Sequence, residues 1–359
     1  MGAAGAADLW GRFRRFVFAD TVDRDTGEQR RALAPPMVDA VDEFFPGCAE
    51  FELATRGEVK NERGFVTLRN GMNIFRQTWT PTSGDVKAVV VFFHGAGDHS
   101  DFCISLKARA LCNLGPIACM AFDQPGHGRS DGLHVHVPDW PEFVDASHEV
   151  LVDHFFPTIK ARWPSARVFG FGESMGGGVL FSLLVREREL LDGAIMVCPM
   201  LFVCRDLLPP APIFKAVMAF ARCLPLWPIA PTKDLKKLCN KDEKFRNWFM
   251  HESKYHRKLM YMARPRMLTV HTFVTSASEC MRSRIPEFDT PALILHGGAD
   301  VITDHRVSEE LFQKMRHPDK TFIYPEGVWH MDLFHGGPSM NDGIRQRLEA
   351  VAAWILKRS

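Results

Sequence analysis

The sequence lacks an excess of charge of either sign. Its 359 residues carry 44 Lys and Arg against 43 Asp and Glu, which gives a formal net charge of +1. A nearly neutral chain has no overall field to attract a polyanion, so we expect no nucleic-acid partner. The apolar fraction of 46% and the charged fraction of 24% are typical of a soluble globular protein.

Paired cysteines are also missing. The chain has nine cysteines, an odd number, and no C-x-x-C pair among them. This pattern excludes the usual zinc sites and a disulfide framework, and it favours a reducing compartment, so we expect a cytoplasmic protein without a metal. Four cysteines have apolar neighbours and are expected in the core. These are Cys103, Cys112, Cys119 and Cys198.

A membrane-spanning run is absent. The most apolar stretch, residues 207–231, is interrupted by Lys215, Arg222 and six prolines, so it does not predict a transmembrane helix. The N-terminus lacks the apolar run of a secretory signal peptide, and Ala6 stands where myristoylation favours Ser or Thr. Residues 10–18, WGRFRRFVF, predict a frayed terminal helix. The alternatives are that this segment touches a membrane surface or forms part of an organelle-targeting transit peptide.

What the sequence does contain is a regular alternation of strand and helix patterns. Residues 65–69 and 73–80 flank Asn70-Gly71, which predicts a β-hairpin. Continuous apolar runs then predict buried strands, and helical spacing of apolar residues separates them. The strand runs begin at residues 88, 117, 167, 193, 291 and 320, and the helical stretches cover 101–115, 139–163, the segment from 175, 305–316 and 341–357.

This alternation stops between residues 201 and 288, where the composition is helical and punctuated by prolines. The pattern predicts an α/β fold: a mostly parallel sheet with helices on both faces and a helical cap inserted before the last two strands. We expect an N-terminal extension (1–50), a core (51–200 and 289–359) and a cap (201–288). The cap would cover the edge at which open α/β sheets bind ligands.

The pentapeptide GESMG, residues 172–176, carries the first chemical signal. A lone G-x-S-x-G is weak evidence, since a chain of this length contains one by chance about one time in eight. Here, however, it follows a strand run and precedes a helix, as a nucleophile elbow requires. Ser174 is then a candidate nucleophile, and Gly172 and Gly176 are the small residues that the tight turn needs.

A nucleophilic serine needs a base and an orienting acid, which follow it in that chain order at later strand ends. Asp300 and His330 each come directly after a strand run and are the preferred pair. Asp304 and His335 are the alternatives. We rank Asp304 lower because it lies near a helix start, where it would serve as an N-cap, and His335 because it lies farther from its strand.

Acyl transfer also needs N–H donors for the developing oxyanion. The backbone of Met175, directly after the serine, is one candidate. The second is Ala96, with Gly95 as the alternative, in the loop that follows the run at residue 88. In this loop His94 is expected to hold the backbone through a side-chain hydrogen bond, and His127 is expected to be a turn residue.

The motifs HGAGDHS, FDQPGHGRSDG, GESMGGG, CPM, HGGAD and PEGVWH resemble those of the monoacylglycerol lipase-like serine hydrolases, which have the α/β-hydrolase fold. GESMGG, APTKDL and HGGADVITD are especially similar to the plant and algal branch, which includes caffeoylshikimate esterase and lysophospholipase-like proteins. The resemblance runs from about residue 50 to the C-terminus and is patchy in the cap. It implies the triad of Ser174, Asp300 and His330, an oxyanion hole at Ala96 and Met175, and no cofactor.

The expected activity is therefore ester hydrolysis through an acyl-enzyme, with a monoacylglycerol as substrate. The alternatives are a lysophospholipid or phenylpropanoid ester, acyl transfer to an alcohol, or a hydrolase-fold receptor for a small ligand. The cap carries apolar residues at helical spacing that either pack on the core or form a lid that touches lipid surfaces. These are Leu207, Leu208, Ile213, Phe214, Val217, Met218 and Phe220.

Overall fold

The computed structural model describes residues 27–33, 47–82, 84–204, 207–208, 210–228, 235–249, 259–261 and 263–359. The aromatic and basic segment at residues 10–18 lies outside the described residues, so its interpretations stay predictions.

One eight-stranded sheet forms the centre of the molecule, with the strand order β1-β2-β4-β3-β5-β6-β7-β8. The strands are β1 (Val59–Thr67), β2 (Asn73–Pro81), β3 (Ala88–Phe93), β4 (Ile117–Phe122), β5 (Arg167–Glu173), β6 (Gly193–Val197), β7 (Ala292–Leu295) and β8 (Lys320–Ile323). Strand β2 pairs antiparallel with β1 and with β4, and all other pairs are parallel. The predicted mostly parallel sheet is confirmed.

The hairpin between β1 and β2 closes at the predicted turn. Thr67 pairs with Asn73, and Gly71 adopts φ +86 while its N–H donates to Leu68 O at 2.8 Å. Strand β1 begins at Val59, earlier than the apolar pattern indicated. After the buried Val59, residues 60–63 are polar because the rest of this edge strand is half-buried or exposed and needs no apolar alternation.

The central strands separate two hydrophobic cores. In β3, Val89, Val91 and Phe93 point into one core, and Val90 and Phe92 point into the other. Successive side chains of a strand alternate between the two faces of the sheet, and every residue of β3 is buried. This explains why the strand is a continuous apolar run rather than an alternating one.

Helices cover both faces of the sheet, as predicted. They are α1 (Gly27–Leu33), α2 (Ala49–Ala54), α3 (Ser105–Leu114), α4 (Trp140–Glu149), α5 (Phe156–Arg162), α6 (Met175–Arg186), α7 (Ala211–Ala221), α8 (Lys236–Cys239), α9 (Glu243–Asn247), α10 (Met267–His271), α11 (Ser278–Arg284), α12 (His305–Lys314) and α13 (Asn341–Leu356). Phe143 of α4, Val179 of α6 and Leu311 of α12 pack on one face. Leu111 of α3 and Leu348 of α13 pack on the other.

Helices α7 to α11 lie in the chain between β6 and β7, which we call the β6–β7 segment (residues 198–291). The sequence predicted helices there. Among the described residues of this segment, Val203 also forms an isolated antiparallel bridge with Thr303, which follows β7. Across the described residues, no helix combines the length and the apolar character that a bilayer crossing requires.

Helix α1, which precedes the predicted core in the chain, docks on the loop after β4. The buried guanidinium of Arg30 donates to Gly128 O at 2.8 Å, to Ser130 O at 2.6 Å and to Gly132 O at 3.1 Å. A charged donor that binds several buried carbonyls anchors this helix, because leaving those groups unpaired would be costly. Nothing in the local sequence pattern had indicated this contact.

Candidate active site

Ser174 lies at the tight turn between β5 and α6. Its backbone adopts φ 50 and ψ −117, a region that side-chain-bearing residues rarely occupy. The surrounding structure holds it there, since Ser174 N–H donates to Val197 O at 2.9 Å and Ser174 O accepts from Met200 N–H at 2.8 Å. The turn therefore presents the side chain of this serine at the carboxyl edge of the sheet, as a nucleophile elbow does.

The glycines around Ser174 are required by close backbone approach. A Cβ on Gly176 would lie 2.0 Å from Phe93 O, and a Cβ on Gly172 would lie 2.7 Å from Gly176 O. Both distances are far below van der Waals contact, so glycine is the residue that fits. The small residues of GESMG thus allow α6 to start directly against β3 and β5.

Asp300 and His330 meet at the same edge of the sheet. Asp300 follows β7 and His330 follows β8, and their Oδ2 and Nδ1 atoms are 2.6 Å apart. Asp300 is 4% exposed, whereas His330 and Ser174 both line one cavity. The structure thus brings the preferred acid and base together and places the histidine and the serine on a common surface.

The environment fixes the charge states of this pair. Burial alone would raise the pKa of Asp300, but the charge of His330 and the hydrogen bonds from His296 and His330 outweigh it and hold the pKa well below its usual range. Burial would likewise lower the pKa of His330, yet the charge and hydrogen bond of Asp300 raise it above 6.5. The acid therefore stays ionised and stabilises a proton on the imidazole.

Three residues that the sequence reasoning did not single out support Asp300. Ile302 N–H donates to Asp300 Oδ1 at 2.7 Å, and Thr303 Oγ1 donates to Asp300 Oδ2 at 2.9 Å. His296 Nε2 lies 3.2 Å from the same Oδ2. Because all three belong to the stretch HGGADVIT, the motif itself could have indicated that the residues around the acid act together.

The alternative acid and base occupy other positions. Asp304 is the N-cap of α12, where its side chain accepts from Arg306 N–H and also pairs with the Arg306 guanidinium. His335 Nε2 lies 2.7 Å from Lys107 Nζ. The predicted N-cap role of Asp304 is therefore confirmed.

The loop after β3 passes beside the serine. A Cβ on Gly95 would lie 3.5 Å from Ser174 Cβ, and Ala96 lines the cavity. Met175 is the first residue of α6, so its N–H has no partner within the helix. The loop that carries Ala96 therefore passes beside the serine, and Met175 directly follows it in the chain; their roles as N–H donors stay predictions.

His94 holds this loop, as predicted. Its Nδ1 lies 2.8 Å from Gly95 O, and its Nε2 accepts from Gln124 N–H at 2.9 Å. Burial lowers the pKa of His94 to about 4, so the ring is neutral and can accept this bond. His127 is a buried turn residue whose N–H donates to Gln124 O at 2.9 Å.

A cavity of about 510 Å³ opens in front of Ser174. Much of its apolar lining comes from the β6–β7 segment. The contributing residues are Leu207, Leu208, Val270, Phe273 and Val274. Such a surface favours an apolar group of a small molecule.

One wall of the cavity is polar. Asp98, Glu173 and His335 line it, and behind them Lys107 is fully buried with its Nζ 2.5 Å from Glu173 Oε2. Burial raises the pKa of Asp98 to about 7, with nearby Glu173 adding to the shift and Lys107 opposing it. The sequence reasoning missed this cluster, since Lys107 sits in an ordinary helical pattern.

Among the described residues, one trio has the donors and spacing of a metal site. The ligand atoms of Cys198, His296 and Asp300 lie within 4.8 Å of one another. However, the ring nitrogens of His296 already have partners, since Nδ1 lies 2.7 Å from Ser308 Oγ and Nε2 lies 3.2 Å from Asp300 Oδ2. Both oxygens of Asp300 are already hydrogen-bonded. We therefore assign no metal to these side chains.

The family of the chain follows from comparison with known proteins. Residues 84–335 match the hydrolase family described as Serine aminopeptidase, S33. The chain belongs to this family. Caffeoylshikimate esterase of Arabidopsis thaliana is 27% identical over 87% of this chain and 90% of its own length. Monoglyceride lipase of Homo sapiens is 26% identical over 81% of this chain and 89% of its own length.

Solved structures agree on the fold. A soluble variant of monoglyceride lipase from Saccharomyces cerevisiae, in complex with a substrate analog, superposes with a TM-score of 0.69 at 19% identity and covers 83% of this chain and 96% of its own. The predicted α/β-hydrolase fold, the resemblance to monoacylglycerol lipase-like hydrolases and the carboxylic ester hydrolase class are confirmed.

Proposed function

We propose that the protein hydrolyses monoacylglycerols through an acyl-enzyme formed on Ser174. The observation that carries the proposal is the hydrogen bond between Asp300 and His330 at 2.6 Å, in a site where His330 and Ser174 line the same apolar cavity. A buried carboxylate that orients an imidazole is the arrangement by which a serine hydroxyl is activated.

In this mechanism His330 takes the proton of Ser174 as the hydroxyl attacks the ester carbonyl. Asp300 keeps the imidazole in the right tautomer and stabilises the imidazolium that forms. The N–H groups of Ala96 and Met175 bind the oxyanion, and each such donor contributes about 3–4 kcal/mol in the transition state. The alcohol leaves with the proton from His330, and water then releases the acid by the same base.

The β6–β7 segment acts as the cap in this proposal. Its apolar side chains, Leu207, Val270 and Phe273 among them, face the cavity in front of Ser174. Burial of apolar surface stabilises a bound acyl chain by about 0.8 kcal/mol per methylene. A long acyl chain therefore suits this site better than an acetyl group.

The cap also supports contact with a lipid surface. Helix α7 exposes Ile213 by 50% and Phe220 by 60%, and the 11 residues of this helix include Lys215 but no acidic residue. Exposed apolar side chains beside a positive charge are typical of helices that lie at a membrane interface. A substrate dissolved in a membrane would then enter the cavity directly from the bilayer.

Labelling with a fluorophosphonate, competed by substrate esters, tests the nucleophile and the substrate class together. Ser174→Ala should lose the label while it keeps the wild-type circular dichroism spectrum. Long-chain monoacylglycerols should compete better than a lysophospholipid or a caffeoyl ester and should turn over faster than glycerol monoacetate. A label that persists in Ser174→Ala contradicts the nucleophile, and a flat or reversed chain-length series contradicts the acyl specificity.

A further inference from the structure

Ser174 and His330, the proposed nucleophile and base, follow strands that are not neighbours in the sheet. Ser174 follows β5 and His330 follows β8, and β6 and β7 lie between these two strands. With adjacent strands about 4.8 Å apart, three steps across the sheet amount to about 14 Å. The two loops must therefore reach towards each other over the carboxyl edge, and their relative position depends on contacts that the sheet itself does not supply.

A buried lysine joins these two loops directly. Lys107 Nζ lies 2.5 Å from Oε2 of Glu173, the residue that directly precedes Ser174. The same Nζ lies 2.7 Å from Nε2 of His335, which lies beyond His330 in the loop after β8. The lysine side chain is fully buried, and His335 is 4% exposed. The bridge thus ties the turn of the nucleophile to the loop of the base from inside the molecule.

The loop after β8 transmits this contact to His330. His335 N–H donates to Met331 O at 2.8 Å, and Met331 directly follows His330. Arg347 Nε donates to Leu333 O at 2.6 Å in the same loop. A turn closed by such hydrogen bonds moves as one unit. A displacement of His335 therefore displaces the backbone of His330 as well.

The hydrogen bonds of the bridge define what each partner does. An ammonium group has three N–H donors and no acceptor, so Nε2 of His335 accepts from Lys107, which assigns the proton of this ring to Nδ1. Glu173 accepts the other bond, and the ammonium compensates its charge beside the nucleophile. Because Nε2 of His335 is engaged with Lys107, this histidine serves as a holder and not as a second base.

We propose that Lys107 is a positioning residue for the reaction: through Glu173 and His335 it holds His330 at the distance from Ser174 that proton transfer needs. This inference rests on the proposed ester hydrolysis. Proton transfer requires heavy atoms about 2.6–3.2 Å apart, and a misplacement of about 1 Å costs about a hundredfold in rate. A buried ion pair adds little net stability compared with apolar side chains of similar volume, so alignment of the site accounts for a lysine at this position.

Two variants of His335 separate alignment from packing. His335→Gln keeps an oxygen acceptor for Lys107 Nζ, whereas His335→Leu fills a similar volume without an acceptor. We expect His335→Leu to lose at least about tenfold in kcat for a monoacylglycerol, with a much smaller change in KM. His335→Gln should recover most of that loss. Equal losses in the two variants overturn the proposal, since packing alone, or a role of His335 as the base, would produce them.

Variants of the lysine test the bridge itself. Lys107→Met removes it, and the double variant Lys107→Met/Glu173→Gln also removes the acid that would be left without its cation. Both should lose at least about tenfold in kcat. The matched control is Lys314→Met on α12, whose Nζ lies 2.7 Å from Glu310 Oε1 and whose side chain is 55% exposed. This variant also loses a paired lysine, but outside the cavity lining, and should keep the wild-type kcat.

Urea unfolding of each variant accompanies the kinetics. A folded Lys107→Met or His335→Leu variant that keeps the wild-type kcat overturns the positioning role, and so does reduced stability without a loss of kcat. If the lysine variants fail to fold, the two His335 variants carry the test. A wild type that hydrolyses no ester contradicts the proposed function and this inference with it. An active wild type with unaffected variants contradicts the inference alone, so the two failures are distinguishable.

Discussion

Asp300 Oδ2 and His330 Nδ1 lie 2.6 Å apart although the residues belong to loops after two different strands. Parallel pairing of β7 with β8 brings the two loops to one edge of the sheet. Asp300 is fixed there by bonds from Ile302, Thr303 and His296. The imidazole is thus oriented by a carboxylate that cannot turn away.

Asp300→Asn tests what this carboxylate does. The amide keeps the shape of the side chain but cannot stabilise the imidazolium and favours the wrong tautomer of His330. We expect kcat for a monoacylglycerol to fall by about 10⁴-fold, the size of the corresponding loss in serine proteases. Steady-state kinetics measure it, with urea unfolding as the control for folding. A loss smaller than tenfold would exclude the proposed role of Asp300.

The pH dependence of kcat/KM reports the ionisation of His330 in the free enzyme. Only the neutral imidazole can accept the serine proton, and Asp300 raises the pKa of His330 above 6.5. Activity should therefore be lost as the pH falls through that raised pKa. In Asp300→Asn the carboxylate charge is gone, so burial lowers the pKa of His330. The residual activity should therefore be lost only at a lower pH than in the wild type. An unshifted acid limb in the variant would show that a different group titrates.

Gly176→Ala tests the steric argument for the turn at Ser174. The added Cβ would lie 2.0 Å from the backbone oxygen of Phe93, so β3 and α6 must separate. We expect a loss of at least about 3 kcal/mol in the free energy of unfolding, the upper range for overpacking. The matched control is Gly64→Ala in β1, where nothing lies within 4 Å of the added atom. Equal stability of the two variants would refute the close approach.

Phe220→Asp tests the lipid-facing role of α7. Phe220 is 60% exposed, so the substitution should leave stability and the turnover of a water-soluble ester nearly unchanged. Removal of the apolar side chain and addition of a negative charge should weaken binding to phosphatidylcholine–phosphatidylserine vesicles by about tenfold or more. Vesicle sedimentation measures it. Wild-type binding by the variant would place any membrane contact elsewhere.

Much of the site could be predicted from the sequence because its requirements are local. The turn at Ser174 needs glycines two positions before and after it, and the buried strands need continuous apolar runs. Chain order then indicated Asp300 and His330. The N-cap role of Asp304 and the loop role of His94 were predictable for the same reason, since each acts within a few residues of its own position.

Other features depend on partners that are far apart in the chain. Lys107 belongs to α3, and only the fold buries it against Glu173 and His335. Arg30 binds carbonyl groups about a hundred positions away. No local pattern records such pairs, because the energy of a buried charge depends on which groups the tertiary structure brings to it.

The sequence by itself determined the α/β architecture, the hydrolase class and the residues that could carry the chemistry, since spacing and turn chemistry encode local backbone structure. The tertiary structure alone decided which of those side chains meet, what charge each one carries and which wall of the cavity is polar. Distance and burial set these properties, and both arise only when separate strands and helices pack together.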